Sequence, residues 1–320
     1  MKRIIECVPN FSEGRDLEKI ERIVAPFKHN DAFKMISYEP DGDYNRTVVT
    51  LIGEAEAIIE SLFPFIDNCI HEIDMNHQSG EHPRIGAVDV IPFIPIQNVT
   101  IEECCIIANL VGERIAKTFD IPVFLYAKAA KTEARVSLPN IRKGEYEGMK
   151  DKIKDPEWHP DFGHPMTHPS FGSVAVGARD FLVAFNIDLD TSDEKIASSL
   201  AKTIRQSSGG FQHIQAGPAF LEKQHHMQVT MNILDYPKNP IYRILEVIKF
   251  EAKRYHITIK SSEIIGLVPK KALLDAVKYY LQVDNRPFDK TMDLKTLTAL
   301  AINYLQFRDF DETKIIEYWL

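Results

Sequence analysis

The stretch GEHPRIGAVDVIPFIP (residues 80–95) holds the least ordinary chemistry of this 320-residue chain. His82 lies between acidic and basic neighbours and directly precedes Pro83, at the entrance to a strand-like run. A proline disfavours helical backbone at the residue before it, so the imidazole is presented from an extended or turn conformation. Histidine titrates near neutrality and can take up a proton and then return it. Loop histidines are also common as surface or structural residues, and the residue types alone leave both readings open.

Upstream, CVPNFSEG (7–14) puts Asn10 and Ser12 just past a strand end. Short polar side chains there either cap a helix or reach a ligand. Arg46 follows Asn45 at a strand start, and Arg84 is two residues from His82. The planar fork of a guanidinium suits both oxygens of a carboxylate, although singly each of these reads as a solvated surface charge.

Further histidines fall at His77, His159, His164 and His168, but no spacing matches H-E-x-x-H, so no metal site is expected. His225 and His226 are adjacent in a strand-like segment, which sends them to opposite faces. Cys7, Cys69, Cys104 and Cys105 show no C-x-x-C spacing and read as buried reduced thiols. P-loop, G-x-S-x-G and G-x-G-x-x-G patterns are missing, which removes simple NTPase, serine hydrolase and dinucleotide-binding assignments. A net charge of −8 argues against a broad nucleic-acid footprint, so an anionic ligand must meet a local cluster of Arg and Lys. Without a run of about 18 apolar residues or a signal-peptide core, neither membrane association nor export is expected, and the chain reads as cytoplasmic.

The elements that position these residues follow from periodicity. Residues 3–11 form a strand, and a helix follows with apolar spacing at Leu17, Ile20, Ile23 and Val24. Residues 32–39 and 46–53 pair as a hairpin across the turn-rich PDGDYN. A helix over 54–74, a strand over 87–96, a helix capped by Thr100 and a strand over 122–127 come next. From Arg135 to about Arg179, five prolines and several glycines break any period, so this connector is expected to be functional or a linker. Beyond it come a strand at 181–189, a helix capped by Thr191 or Ser192, strands at 211–223 and 226–234, a helix at 240–255 and a strand at 256–260. Two βαββαβ orders predict an α+β protein of two ferredoxin-like α/β sandwiches, each an antiparallel sheet with helices on one face, followed by a mostly helical tail from Lys270.

Motifs spread over nearly the whole chain carry a resemblance: CVPNFSEG (7–14), NRTV (45–48), GEHPRIGAVDVIPFIP (80–95), SLP (137–139), GEYE (144–147), PDFG (160–163), GARDFLVAFNI (177–187) and GLVP (266–269). Together they resemble the glutamate formimidoyltransferase family. The resemblance implies two subdomains, residues 1–179 and 180–320, with a folate tunnel between them, in a homodimer. It implies transfer of a formimidoyl group from N-formimidoyl-L-glutamate to N5 of tetrahydrofolate, a co-substrate, with release of L-glutamate in histidine degradation. The family's catalytic histidine falls on His82, and Arg46 and Arg84 become carboxylate anchors. Its folate-binding segment falls on Gly163, His164, Pro165, Met166, Thr167, His168, Pro169, Ser170, Phe171 and Gly172. Glu39 stands where relatives commonly carry Asp. Glu39, Asp41 and Asp43 form a pool from which one orients the histidine or contacts the pterin, beside Asn10, Ser12 and Asn45. Some relatives are fused to a cyclodeaminase; this chain is expected to be monofunctional, with the next step left to a separate enzyme. The alternatives are a related one-carbon transfer using formylglutamate or 5-formyltetrahydrofolate, and a folate-binding protein without turnover.

Overall fold

A computed structural model describes residues 2–222 and 224–320. The chain divides into two units, Met1–Asp180 and Phe181–Leu320. In the first unit the opening strand is interrupted at Pro9, which has no N–H to give a ladder, and becomes β1 (Ile4–Cys7) and β2 (Asn10–Phe11). Then come α1 (Leu17–Val24), the hairpin β3 (Phe33–Asp41) and β4 (Arg46–Glu54), α2 (Ala55–Glu72), β5 (Val88–Gln97), α3 (Ile101–Phe119) and β6 (Val123–Ala127). Thr100 caps α3 in a reciprocal capping box with Glu103, as its sequence predicts.

The connector is not structureless. It folds into α4 (Glu133–Val136), α5 (Leu138–Arg142) and α6 (Glu145–Lys152), and its end supplies β7 (Val174–Ala178). The strands lie in the order β3, β4, β1/β2, β5, β7, β6. Both pairings of β7 are parallel, so this sheet is mixed rather than wholly antiparallel. The physical reason is the helical crossover, which returns the chain in the same direction.

α1, α2 and α3 cover one sheet face through a core that includes Ile5, Cys7, Phe11, Ile58, Phe65, Phe93 and Val111. On the other face, Val90, Phe124, Tyr126 and Ala175 pack with Ile141, Met149 and Ile153 of the connector. Each fully buried side chain of this kind contributes about 1.5–3 kcal/mol, so a one-residue slip that exchanged the faces is excluded.

The second unit runs β8 (Val183–Leu189), α7 (Glu194–Ile204), β9 (Ile214–Leu221), β10 (His226–Ile233), α8 (Ile241–Ala252) and β11 (Ile259–Ile265), then α9 (Lys270–Val283) and α10 (Leu294–Leu305). Its sheet has the order β11, β8, β10, β9 with antiparallel pairs throughout, the ferredoxin-like arrangement. Four local expectations are corrected here. Asp193, not Thr191 or Ser192, caps α7 by accepting from Lys195 N–H, while Thr191 serves the turn before it. The last strand starts at Ile259, because His256 sits at a left-handed turn. The preceding strand-like run at 211–223 narrows to β9. His225 lies in a turn at φ 52°, so it does not alternate with His226 in one strand.

Candidate functional site

The turn that carries His82 is held from four sides. Its backbone N–H donates to Tyr44 O at 3.4 Å, and Glu81 N–H donates to Asp43 O at 3.3 Å. Asn45 links three segments: its side-chain oxygen accepts from Gly14 N–H at 3.0 Å, its amide donates to Ser79 O at 2.8 Å, and its carbonyl accepts from Gln78 at 3.0 Å. Asn45 holds this place at φ 50°, a left-handed conformation that asparagine tolerates better than most residues. Ser12 donates to Gly86 O at 2.8 Å, and Asn10 donates to Val8 O. Neither caps α1, whose N-cap is Asp16.

The third support is Arg84, buried with its five donors engaged. Nε reaches Gln78 Oε1, Nη1 reaches Glu145 and Glu147, and Nη2 reaches Gln78 O and Glu147. A guanidinium so committed braces the His82 turn against α6 instead of waiting for a substrate carboxylate. Arg46 is different: half-buried, it lies over the Tyr44 ring at 5.4 Å, and its Nε is buried without a hydrogen-bond partner among the described residues. A buried unpaired donor is costly to leave unmet.

The fourth support is Asp89. Asn10 pairs with Val90 and Phe11 with Val88, so Asp89 is the extra residue of a β-bulge, a device that re-aims side chains beside sites. Its carboxylate, 1% exposed, accepts from Ile85 N–H at 3.0 Å and from Arg142 Nε at 3.0 Å. Burial raises its pKa, against the pull of Arg142.

These groups set the state of His82. The imidazole is 5% exposed, lies edge-on to Tyr44 at 6.4 Å, and makes no ring hydrogen bond among the described residues. Burial, then the charges of Arg142, Arg46 and Arg84, lower its pKa to about 3. It is therefore neutral near pH 7, in a cationic recess of an acidic chain.

The two halves match the formiminotransferase domain models, the N-terminal subdomain over residues 4–179 and the second over 184–320. The chain belongs to the formiminotransferase family. It is 44% identical over 290 residues to the glutamate formimidoyltransferase of Streptococcus pyogenes serotype M1, covering 91% of this chain and 97% of that protein. It is 41% identical over 302 residues to that of Thermoplasma acidophilum, covering 94% and 99%. The formimidoyltransferase-cyclodeaminase of Gallus gallus is 38% identical over 88% of this chain, which spans 53% of that longer relative.

In this family member the 163–172 segment folds back on the His82 turn. His168 and Gly172 exchange backbone hydrogen bonds at 2.9 and 3.1 Å, and Phe171 N–H donates to His168 Nδ1 at 3.1 Å. Phe171 O then accepts from Ala87 N–H, and Ser170 O from Met75 N–H. Gly172 sits at φ 89°, and a Cβ there would lie 2.5 Å from Ile85 O. Gly163, His164, Pro165 and Met166 are exposed, Thr167 half-buried and Pro169 exposed, so Met166 is a large apolar side chain open to solvent. Among the acidic pool, Asp41 accepts from Asp43 and Tyr44 N–H, and Glu39 accepts from Ser37; none of the three bonds His82 among the described residues.

Sequence reasoning missed Asp89, Arg142 and the buried Glu6. A signal for Asp89 was present: an acid inside the apolar run AVDVIPF must be paired if buried.

Proposed function

We propose that this chain is a glutamate formimidoyltransferase that moves the formimidoyl group from N-formimidoyl-L-glutamate to N5 of tetrahydrofolate, with His82 as the proton-transfer residue. The carrying observation is a neutral, buried imidazole in a site where Arg46 Nε has no hydrogen-bond partner among the described residues, in a chain aligned along nearly its whole length with proteins of that name.

The chemistry runs in two steps. N5 of the folate attacks the amidine carbon and forms a tetrahedral adduct, and N5 passes its proton to His82. The imidazolium then gives that proton to the glutamate nitrogen as the C–N bond to glutamate breaks. Such transfer typically contributes ~10²- to 10⁴-fold in rate, and alignment of two bound reactants adds several kcal/mol more. An imidazole with a pKa of about 3 is a weak base in the free protein. Both substrates carry carboxylates, and one bound at Arg46 neutralises part of the positive field and raises the basicity of His82 on binding.

In this reading the 163–172 segment, exposed over 163–166 and buried at Phe171 and Gly172, and Asn10, Ser12, Asn45 and Asp41 frame the folate site through backbone and shape. The protein works in the cytoplasm as a homodimer, without a metal, and hands its product to a cyclodeaminase activity. No described helix is long and apolar enough to cross a membrane.

The test is a steady-state assay with tetrahydrofolate and N-formimidoyl-L-glutamate, run beside N-formyl-L-glutamate and a His82→Ala protein. Preference for the formimidoyl donor, with at least a hundredfold loss in the variant, is expected. Full activity in the variant would remove His82 from the mechanism; turnover of the formyl donor alone would replace the substrate.

A further inference from the structure

The helices that cover the first sheet carry an apolar surface of their own that faces solvent. Ile106 and Leu110, four residues apart on α3, are 59% and 61% exposed, although the residues that follow them, Ile107 and Val111, are buried. A groove of about 370 Å³ lies beside them, lined by Ile59 and Phe63 of α2 and by Ile107, Leu110 and Val111 of α3. Phe63 is fixed there between Phe119, stacked at 6.4 Å, and the guanidinium of Arg114, 3.7 Å from its ring. Single exposed apolar side chains are ordinary; an apolar groove with Ile and Leu standing open beside it is the kind of surface that a partner covers.

The charges select the partner. Residues four apart form a ridge along an α-helix, and the exposed ridge of α3 reads Glu102, Ile106, Leu110, Arg114: acid, apolar, apolar, base. Turned end for end, that order is its own complement. Ridges of this kind from two helices interdigitate at a crossing of about −50°. Run in opposite directions about a twofold axis at the middle of the ridge, they set Ile106 against Leu110 of the second copy and Glu102 against Arg114 of the second copy. Each contact then occurs twice, as an isologous interface requires. Arg114 gives two N–H groups to Glu60 on its own chain, at 2.6 and 3.1 Å, and a guanidinium has further donors for a second carboxylate.

We infer that the α2–α3 face is where two copies of this chain associate, centred on Ile106 and Leu110 and closed at both ends by Glu102 and Arg114. The inference rests on the homodimer of the reading above and names its surface.

The test is sedimentation velocity of the whole protein over a concentration series, which gives the dimer dissociation constant. The parent is compared with Leu110→Glu, Glu102→Arg, Arg114→Glu and the double variant Glu102→Arg with Arg114→Glu, and circular dichroism of each sample checks the fold. Leu110→Glu and each single reversal should weaken association by about tenfold or more, the reversals because like charges then meet at both ends. The double variant should return to near the parent value. An equimolar mixture of the two single-reversal proteins should associate more tightly than either alone, since the ends of one complement the ends of the other. A parent that dimerises with the same constant as every variant places the dimer elsewhere and overturns the inference alone. A parent that stays monomeric overturns the inference together with the homodimer and leaves the face to a different protein. Formimidoyl transfer is measured in the same samples, so loss of the assigned reaction is a separate result.

Discussion

Replacing His82 by Gln should flatten the acid dependence of stability. In the unfolded chain an imidazole titrates near 6.5, whereas the folded His82 does so at about 3. The folded pKa is lower, so the unfolded state binds the extra proton, and stability present above pH 6.5 is lost as the pH falls toward 3. At pH 5 the unfolded imidazole is almost wholly protonated and the folded one is not. The 1.5-unit interval from 6.5 to 5 corresponds to about 2 kcal/mol, and solvent relaxation at the rim of the site reduces this to ~1–2 kcal/mol. For a unit of this size that is a shift of about 3–6 °C in Tm. The assay is thermal unfolding of parent and His82→Gln at pH 8 and pH 5, read on the transition of the first unit, since two units need not melt together. Titration of every other group cancels in the difference between the two proteins. The drop from pH 8 to pH 5 should be smaller in the variant by that amount. Equal drops would mean that His82 is protonated in the fold as readily as in the unfolded chain, and the neutral-imidazole argument would fail.

Three further outcomes follow from single residues. Gly172→Ala should destabilise the first unit by about 2 kcal/mol or more and weaken folate binding, because its Cβ would stand 2.5 Å from Ile85 O at φ 89°; denaturant unfolding and folate fluorescence read the two effects. Arg84→Met should lower kcat through a loosened His82 turn and cost about 1–3 kcal/mol, and rescue by Lys should be poor because a point charge cannot replace five directed donors. Glu6, whose pKa burial raises from 4.5 to about 7 against the pull of Arg179, favours its neutral form in the fold. Its stability contribution is complete below pH 4.5 and is lost as the pH rises through 7, so Glu6→Gln should gain stability relative to the parent as pH climbs, by at most about 3 kcal/mol at pH 8 in chemical denaturation.

The sequence made the long elements legible because their cues are local. Ile20, Ile23 and Val24 mark the buried stripe of α1, Thr100 and Glu103 close a capping box three residues apart, and PDGDYN supplies a hairpin turn. The connector was not legible. α4, α5 and α6 span four, five and eight residues, too short to show a helical period, and β7 is a parallel strand buried on both faces, so it shows no alternation. His82 itself could be named from the turn chemistry around it, but the residues that govern it could not. Arg142 stands 53 positions from Asp89, and Glu147 stands 63 from Arg84; pairings at such distances belong to the topology and leave no spacing to read.

The two units solve the same sheet problem differently, and the difference locates the chemistry. Each packs an apolar face under helices; on the other face the first unit packs a second apolar cluster against the connector, and the second unit carries polar side chains. In the second unit that polar face is closed on itself. Burial alone would raise the pKa of Asp188, but bonds from Ser261, Arg308 and Gln228 overcome it and hold the carboxyl below its usual range. Arg308 also pairs with Glu263, which accepts in turn from Asn186 and Gln228. This network ties its sheet together, although His226 Nε2, 3.8 Å from Asp188 Oδ1, is buried without a hydrogen-bond partner among the described residues. In the first unit the balance is also incomplete: Arg46 Nε is buried without a partner among the described residues, and His82 is neutral near pH 7. A fold bears such a cost where a bound molecule supplies the missing partners, and an anionic substrate that needs a proton moved supplies both.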